Sequence, residues 1–171
     1  MAMTFLVGGA RSGKSALAIR LASEWDGPVV FLATAEAGDD EDLAARIDSH
    51  RRERPARWQT IEEPLDVRSR LEEAPDRACV VLDCLTLWTA NALRAGWGNE
   101  EVESAATDAA ALAAERGGLS IVVSNEVGMG VVPATPLGRS FRDLLGRVNA
   151  IFAAKADRAC LVVAGRTLEL T

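Results

Sequence analysis

The stretch FLVGGARSGKSALAIRLA, residues 5–22, decides the fold of this chain. An apolar run at residues 4–8 ends in glycines, and an amphipathic run begins at Lys14. Residues 8–15 match the phosphate-loop pattern G-x-x-x-x-G-K-[ST] at every fixed position, with the strand and helix signals that this pattern requires on either side. Glycines let backbone N–H groups turn toward phosphate oxygens, and the following helix adds the positive end of its dipole. We therefore predict nucleotide phosphate contacts at Gly8, Gly9, Ala10, Arg11, Ser12, Gly13, Lys14 and Ser15.

Three side chains complete the predicted phosphate site. Lys14 supplies a positive charge for the β- and γ-phosphates, and Ser15 is a ligand for Mg²⁺. The run VVLD ends at Asp83, and a carboxylate at the tip of a buried strand holds Mg²⁺, usually through water. A turn or helix-capping aspartate is the alternative interpretation of Asp83. The chain has no N-K-x-D motif, so it does not look like a switch GTPase that reads guanine in that way.

Four further apolar runs follow, at residues 28–34, 78–83, 119–124 and 159–165. They are continuous rather than alternating, which is typical of strands covered on both faces. Helical patterns lie between them, at residues 14–25, 40–54, 100–116 and 136–156. This alternation predicts an α/β fold, a three-layer sandwich around a mostly parallel sheet, in a single domain over residues 1–171. The closing VAGRTLEL, residues 163–170, predicts a tight hairpin that adds an antiparallel edge strand.

Ligands of such sheets bind at the carboxyl ends of the strands. Polar residues and glycines gather there in this chain, at residues 8–15, 34–36, 83–86 and 125–130. The last group belongs to SNEVGMGVVP, residues 124–133, which we interpret as a substrate-facing loop, with a purely structural turn as the alternative.

His50 is the only histidine of the chain, and it falls in the predicted helix with Arg51, Arg52 and Arg54 close behind it. Neighbouring cations disfavour the imidazolium form, so we expect a neutral and nucleophilic side chain. A histidine of this kind forms a covalent phosphoramidate intermediate and divides one transfer into two. The same residues also describe a solvated surface histidine, and this local pattern leaves both interpretations open.

Composition limits the classes of partner and location. The chain has 171 residues and a net charge of −6. We therefore expect no non-specific binding of nucleic acid, which needs clustered positive charge. No apolar run reaches the roughly 20 residues that span a bilayer, and no leader pattern opens the chain, so we expect a cytoplasmic protein. The three cysteines, Cys79, Cys84 and Cys160, show no CxxC spacing and fit reduced, buried thiols better than metal ligands.

Seven segments occur in the order of one known family. They are GGARSGKS, ATAE, RIDSHRRERPARWQTIE, LDCLTLW, SNEVGMGVVP, FRDLLGRVN and a closing AD…LVVAG. Together they resemble the bifunctional adenosylcobinamide kinase/adenosylcobinamide-phosphate guanylyltransferases of cobalamin biosynthesis. The likeness covers nearly the whole chain. The block around His50 and the SNEVGMGVVP block are far more specific than the phosphate loop.

The resemblance implies two reactions. ATP or GTP phosphorylates the aminopropanol hydroxyl of adenosylcobinamide, and GTP then gives GMP to that phosphate, yielding adenosylcobinamide-GDP and pyrophosphate. In the family the guanylyl group passes through a histidine, which corresponds here to His50. The catalytic residues implied are thus His50 and Lys14. The choice of phosphoryl donor, and whether both activities are retained, stay open.

The resemblance also implies further ligand contacts and partners. GTP contacts beyond the phosphate loop are implied at Ala33, Thr34, Ala35, Arg51, Arg52, Glu53, Arg54, Glu62 and Asp83. Among the arginines we expect Arg51 and Arg54 to matter most. Mg²⁺ would be held by Ser15 and Asp83. Relatives form trimers, so a homotrimer is expected.

Two other functions compete with this one. The chain is alternatively a phosphate-loop kinase of another small molecule, with His50 incidental, or a regulatory module that hydrolyses nucleotide slowly and changes shape. Trp58, Trp88 and Trp97 are candidates to flank a bulky corrinoid, with core packing as the favoured alternative.

Overall fold

The computed structural model describes residues 2–36 and 41–170; Asp40, at the start of one predicted helix, lies outside them. The elements in chain order are β1 (Ala2–Gly8), α1 (Lys14–Ser23), β2 (Val29–Ala33), α2 (Glu41–Arg52), β3 (Gln59–Glu62), α3 (Val67–Glu73), β4 (Cys79–Asp83), α4 (Leu85–Arg94), α5 (Asn99–Glu115), β5 (Leu119–Asn125), α6 (Pro136–Lys155), β6 (Arg158–Val163) and β7 (Arg166–Leu170).

One seven-stranded sheet organises the fold, in the order β3-β2-β4-β5-β1-β6-β7. All neighbouring pairs are parallel except β6 and β7, which pair antiparallel. The turn between these two strands places Ala164 and Gly165 at positive φ, 48° and 74°, as a tight hairpin requires. The mostly parallel sheet and the antiparallel C-terminal strand confirm the predicted fold class.

Two apolar cores cover the two faces of the sheet. Alternate residues of β4 divide between them, since Val80 and Leu82 pack with helices α3 to α6 while Cys79 and Val81 pack with α1. Helix α5 meets the sheet through small side chains that are fully buried at helical spacing: Ala106, Ala109, Ala110 and Ala113. Helices on both faces give the three layers that were predicted.

Three elements are absent from the sequence-based prediction. Strand β3 has only four residues and pairs with β2 alone, so its burial is too slight for a continuous apolar run. Helix α3 has seven residues and begins after Asp66, whose carboxylate accepts a hydrogen bond from Ser69 N–H. Helix α4 continues the apolar composition of β4, so hydrophobicity alone does not mark where the strand ends.

The tryptophans pack in or against the cores, and Cys79 and Cys160 are buried while Cys84 is only partly buried. Trp58 and Trp88 are buried, and the partly buried Trp97 meets Trp88 edge-on with the ring centres 6.5 Å apart. The three cysteines are free. Burial raises the pKa of the Cys79 thiol to about 12. Among the residues described, no helix is long and apolar enough to cross a membrane.

Candidate active site

The phosphate loop connects β1 to α1 in front of the first turn of that helix. Arg11 and Gly13 take positive φ values of 56° and 100°, which turn the chain back toward the helix. Gly13 precedes α1 and, having no side chain, cannot cap the first N–H groups of the helix. The first N–H groups of a helix have no partner within the helix. The N-terminus of α1 therefore faces the loop with donors suited to an anion.

The β6–β7 hairpin supports the phosphate loop from one side. A Cβ atom at Gly8 would lie 2.2 Å from the backbone oxygen of Val162 in β6, so only glycine fits there. The N–H of Gly165, in the hairpin turn, donates to the Ser12 carbonyl at 2.8 Å. The shape of the loop thus depends on strands from the far end of the chain.

Lys14 lies inside the curve of the loop and is 7% exposed. Its Nζ donates to the Gly9 carbonyl at 2.7 Å and to Ser12 Oγ at 3.4 Å. Burial lowers the pKa of the Lys14 ammonium, while the neighbouring Cys84 and Asp83 act in the opposite direction. The hydrogen bonds to Gly9 and Ser12 place the Lys14 ammonium where a bound phosphate chain would lie.

Asp83 is the carboxylate on which the site converges. It ends β4, and burial raises its pKa. The positive charges of Arg54 and Lys14 and a hydrogen bond from Ser15 oppose that shift, and His50 is also close enough to lower the pKa of Asp83. The structure thus brings together, around one carboxylate, the histidine, the lysine and the serine that the sequence singled out.

The pair of Ser15 and Asp83 also fits the predicted magnesium site. A hydroxyl and a carboxylate oxygen are hard ligands of the kind Mg²⁺ prefers, and this ion usually binds through one or two protein groups plus phosphate and water. No cluster of three or more His, Cys, Asp or Glu side chains occurs in the described part of the chain, so a site held wholly by such side chains is not found there.

The segment after β2 is fixed to the end of β4. Thr34 is fully buried, and its Oγ1 donates to the Cys84 carbonyl at 2.7 Å and accepts from the Cys84 N–H at 2.9 Å. Asn91 of α4 donates through Nδ2 to the carbonyls of Thr34, at 2.8 Å, and Pro64, at 3.1 Å. These bonds hold the segment with the predicted nucleotide contacts Ala33, Thr34 and Ala35 in place at the carboxyl ends of the strands.

His50 lies near the C-terminal end of α2, with its side chain 44% exposed. Its Nδ1 lies 3.9 Å from a carboxylate oxygen of Glu53. Glu53 and Arg52 are otherwise exposed, and no ion pair of Arg52 occurs among the described residues.

Arg51 and Glu62, both predicted nucleotide contacts, pair with each other. The Arg51 guanidinium donates to Glu62 Oε1 through Nε at 3.0 Å and also through Nη2. This pair lies between two clefts, of about 330 and 550 Å³, and lines both. Ala35 and Ile47 line the first, while Arg54 lines the second. The volumes are in the range of small-molecule sites.

Arg54 lies over the face of Phe31, with its guanidinium carbon 3.7 Å from the ring centre. Its Nε and Nη1 are buried and find no hydrogen-bond partner in the described part of the chain. Burial lowers the pKa of this guanidinium, and Asp83 opposes that shift. Buried polar groups are normally paired, so these two donors are suited to bind an anionic ligand.

Several side chains that shape the site were not identified from the sequence. Asn91 and Phe31 belong to apolar runs that indicate only a core. Thr86 Oγ1 accepts from the Asn125 N–H at 2.8 Å, and Asn149 Nδ2 donates to the Asn125 carbonyl at 3.0 Å. For Asn91 and Asn149, the sequence feature that could have identified them is an amide side chain in the middle of an apolar segment.

Comparisons with known proteins show the family of this chain. Residues 4–170 match the family model described as cobinamide kinase / cobinamide phosphate guanyltransferase. The chain is 42% identical over 166 residues to the bifunctional adenosylcobalamin biosynthesis protein CobP of Pseudomonas aeruginosa, covering 96% of this chain and 95% of the relative. It is 42% identical over 178 residues to the bifunctional adenosylcobalamin biosynthesis protein CobU of Salmonella typhimurium, covering 95% and 96%.

A solved structure shares the fold at much lower identity. An ATPase from the type III secretion system of pathogenic bacteria superposes with a TM-score of 0.59 and 13% identity, over 94% of this chain and 50% of that one. This likeness concerns the fold alone, and it agrees with a sheet built to present a phosphate loop.

Proposed function

Because the chain belongs to the cobinamide kinase / cobinamide phosphate guanyltransferase family, we propose that it phosphorylates adenosylcobinamide and then transfers GMP from GTP to the new phosphate. The products are adenosylcobinamide-GDP and pyrophosphate. ATP and GTP both fit the first step, since the phosphate loop addresses only the phosphates that they share.

The kinase step uses the phosphate loop. The backbone from Gly8 to Ser15 and the ammonium of Lys14 hold the β- and γ-phosphates in line with the aminopropanol hydroxyl. The hydroxyl oxygen attacks the γ-phosphorus, the bond to the bridging oxygen of the β-phosphate breaks, and the hydroxyl proton passes to solvent. Mg²⁺, held by Ser15 and Asp83, would supply charge neutralisation on the phosphate oxygens when bound.

The guanylyl transfer proceeds through His50. A ring nitrogen attacks the α-phosphorus of GTP, a nitrogen–phosphorus bond forms, and the bond to the bridging oxygen of the β-phosphate breaks to release pyrophosphate. An oxygen of the cobinamide phosphate then attacks the same phosphorus and frees the imidazole.

The nucleoside of GTP binds beside the strand ends of β2 and β3. The two clefts on either side of the Arg51–Glu62 pair would receive it, with contacts from Ala33 to Ala35 and from Glu62. The unpartnered donors of Arg54 would bind its phosphate chain. Arg52 is exposed, so we assign it a weaker, long-range electrostatic contribution.

The observation that carries the proposal is that Asp83, at the end of β4, accepts a hydrogen bond from Ser15 of the phosphate loop and lies within electrostatic range of both Lys14 and His50. A nucleophile for the α-phosphorus and a loop for the terminal phosphates then belong to one nucleotide site. This arrangement supports both reactions better than it supports a kinase in which His50 is incidental.

Mg²⁺ as the metal ion, a homotrimer as the assembly and the cytoplasm as the location complete the proposal. The hard oxygen ligands of Ser15 and Asp83 support Mg²⁺ as the metal ion. The resemblance to trimeric relatives supports the homotrimer, and light scattering of the purified protein measures its mass. The need for ATP and GTP as substrates supports the cytoplasm as the location.

Product analysis with labelled GTP tests the two activities separately. The parent protein, given α-labelled GTP alone, should form an acid-labile covalent GMP adduct, and with adenosylcobinamide it should form adenosylcobinamide-GDP. His50→Ala should lose the adduct by more than about 1,000-fold while still phosphorylating adenosylcobinamide from ATP. An adduct that persists in His50→Ala would show that another residue is the nucleophile. A parent protein that phosphorylates no corrinoid would overturn the function itself.

A further inference from the structure

The loop between β5 and α6, residues 126–135, presents an unusual apolar surface, and we refer to it as the β5–α6 loop. Met129, Val131 and Val132 are 74%, 94% and 63% exposed, and Leu137 in the first turn of α6 is 73% exposed. Apolar side chains exposed together on one segment commonly mark a binding surface. Among the described residues, the other large apolar side chains of comparable exposure lie on β6 and β7.

Hydrogen bonds hold this loop in one shape. The carboxylate of Glu126 accepts from the N–H groups of Gly128 and, at 3.1 Å, Met129. Arg139 of α6 donates through Nη1 to the carbonyls of Pro133 and Ala134, both at 2.9 Å. The apolar side chains are therefore displayed by a braced backbone.

The base of the β5–α6 loop is joined to the phosphate loop. The N–H of Glu126 donates to the Gly8 carbonyl at 3.0 Å. Successive Cα atoms are 3.8 Å apart, so Met129 lies within about 11 Å of Glu126 along the chain. Asn149, which is 8% exposed, donates to the Asn125 carbonyl, and its Oδ1 finds no partner in the described part of the chain.

We propose that the β5–α6 loop binds the corrin macrocycle of the acceptor, with its apolar side chains against the ring's methyl-bearing edge. This inference rests on the proposed function. The nucleophile is the hydroxyl of a side arm in the first reaction and the phosphate on that arm in the second. In both, the arm must reach the nucleotide at the phosphate loop, so the macrocycle lies one arm's length away.

The chemistry of the acceptor suits this surface. A corrinoid combines methyl groups with peripheral amides, so it can bury apolar area while its amides pair with polar groups. A nucleotide has no comparable apolar edge. The loop should therefore contribute to the affinity for the acceptor and not to the affinity for GTP.

Steady-state kinetics of a double variant tests the proposal. Met129→Ser with Val131→Ser keeps the backbone and removes two exposed apolar side chains. We expect the KM for adenosylcobinamide to rise at least about tenfold, as for lost apolar contacts in a binding site. The KM for GTP, and the rate of GMP-adduct formation without acceptor, should stay within about twofold of the parent.

Leu168→Ser is the matched control. Leu168 is 62% exposed, close to the value for Val132, but it lies on β7 at the edge of the sheet. It should leave the KM for adenosylcobinamide unchanged. Equilibrium dialysis, followed by the visible absorbance of the corrinoid, should show the same difference in affinity between the two variants.

Three results would overturn the proposal. An unchanged KM for adenosylcobinamide in the double variant, with an active parent, would overturn the loop assignment alone. A fall in oligomeric mass together with loss of GMP-adduct formation would identify the loop as an interface between copies of the chain. A parent without corrinoid kinase activity would overturn both this inference and the proposed function.

Discussion

The guanidinium carbon of Arg54 lies over the ring of Phe31, 3.7 Å from its centre, and two of its buried donors have no partner among the described residues. A lysine cannot reproduce the planar stacking or the forked donors. Arg54→Lys should therefore raise the KM for GTP about tenfold, the loss expected for one stacked, charged contact of 1–2 kcal/mol. GMP-adduct formation at varied GTP concentration measures this effect.

Arg52→Lys is the control for Arg54, since Arg52 is exposed on the same stretch of chain. It should change the KM for GTP less than twofold, roughly the size of a surface electrostatic effect. Equal effects of the two substitutions would mean that general positive charge, and not the position of Arg54, matters.

Gly8 and Gly9 are neighbours with opposite tolerance for a side chain. A Cβ at Gly8 would meet the Val162 backbone oxygen at 2.2 Å, whereas one at Gly9 would meet nothing within 4 Å. Gly8→Ala should lower the free energy of unfolding by about 1–3 kcal/mol, since β1 and β6 must separate. Gly9→Ala should change it by less than about 0.5 kcal/mol. Urea denaturation of both variants gives the comparison, and similar midpoints would contradict the close approach of β6.

We expect the buried carboxylate of Asp83 to lower the free energy of unfolding at neutral pH. Its pKa is raised by burial in the folded state, so above the ordinary aspartate pKa of 3.8 the folded chain binds more protons than the unfolded one. By linkage, the contribution of this group to stability falls as the pH rises from that value. Asp83→Asn should therefore unfold at higher urea concentration than the parent at pH 8 in EDTA, and the difference should shrink toward pH 4.

The same Asp83→Asn protein should lose phosphoryl transfer, because the carboxylate proposed for Mg²⁺ is gone. Asp108→Asn, at an exposed position of α5, is the control for stability. A parent more stable than Asp83→Asn at pH 8 would show that the charged neighbours outweigh burial.

Asn91 ties the nucleotide-binding segment after β2 to α4. Asn91→Leu keeps the size of the side chain but leaves the buried carbonyls of Thr34 and Pro64 without their donor, at a cost of about 1–3 kcal/mol. We also expect a higher KM for GTP, since Thr34 and Ala35 lose their support. Arg94→Ala removes an exposed hydrogen bond to Asn91 and an exposed ion pair with Glu36, and its unfolding free energy should change by less than about 1 kcal/mol.

The extent to which the fold could be predicted follows from burial. Strands β1, β2, β4 and β5 lie within the sheet and read as continuous apolar runs because both of their faces are covered. Strand β3 pairs on one side only and carries the sequence QTIE, so its pairing comes from tertiary contact with β2. Short, partly exposed elements leave little trace in hydrophobic periodicity.

The candidate site likewise has one part that the sequence predicts and another that it does not. The phosphate loop could be predicted because glycine and lysine at fixed spacing follow from local backbone geometry. The pairing of Arg51 with Glu62, and the stacking of Arg54 on Phe31, join α2 and the segment after it to strands β3 and β2. Contacts of this kind depend on how α2 lies against the sheet, which no local pattern encodes.

Strand β1 opens the chain yet lies between β5 and β6, the fifth and sixth strands to be synthesised. A nascent chain emerging from the ribosome therefore carries its phosphate loop long before either flanking strand exists. The support that Val162 and Gly165 give to that loop comes only after β1 to β5 have been synthesised. Such distant pairing slows folding. The ability to bind a nucleotide is thus acquired only after β6 and the β6–β7 turn have been synthesised, and fragments lacking this hairpin should not acquire it.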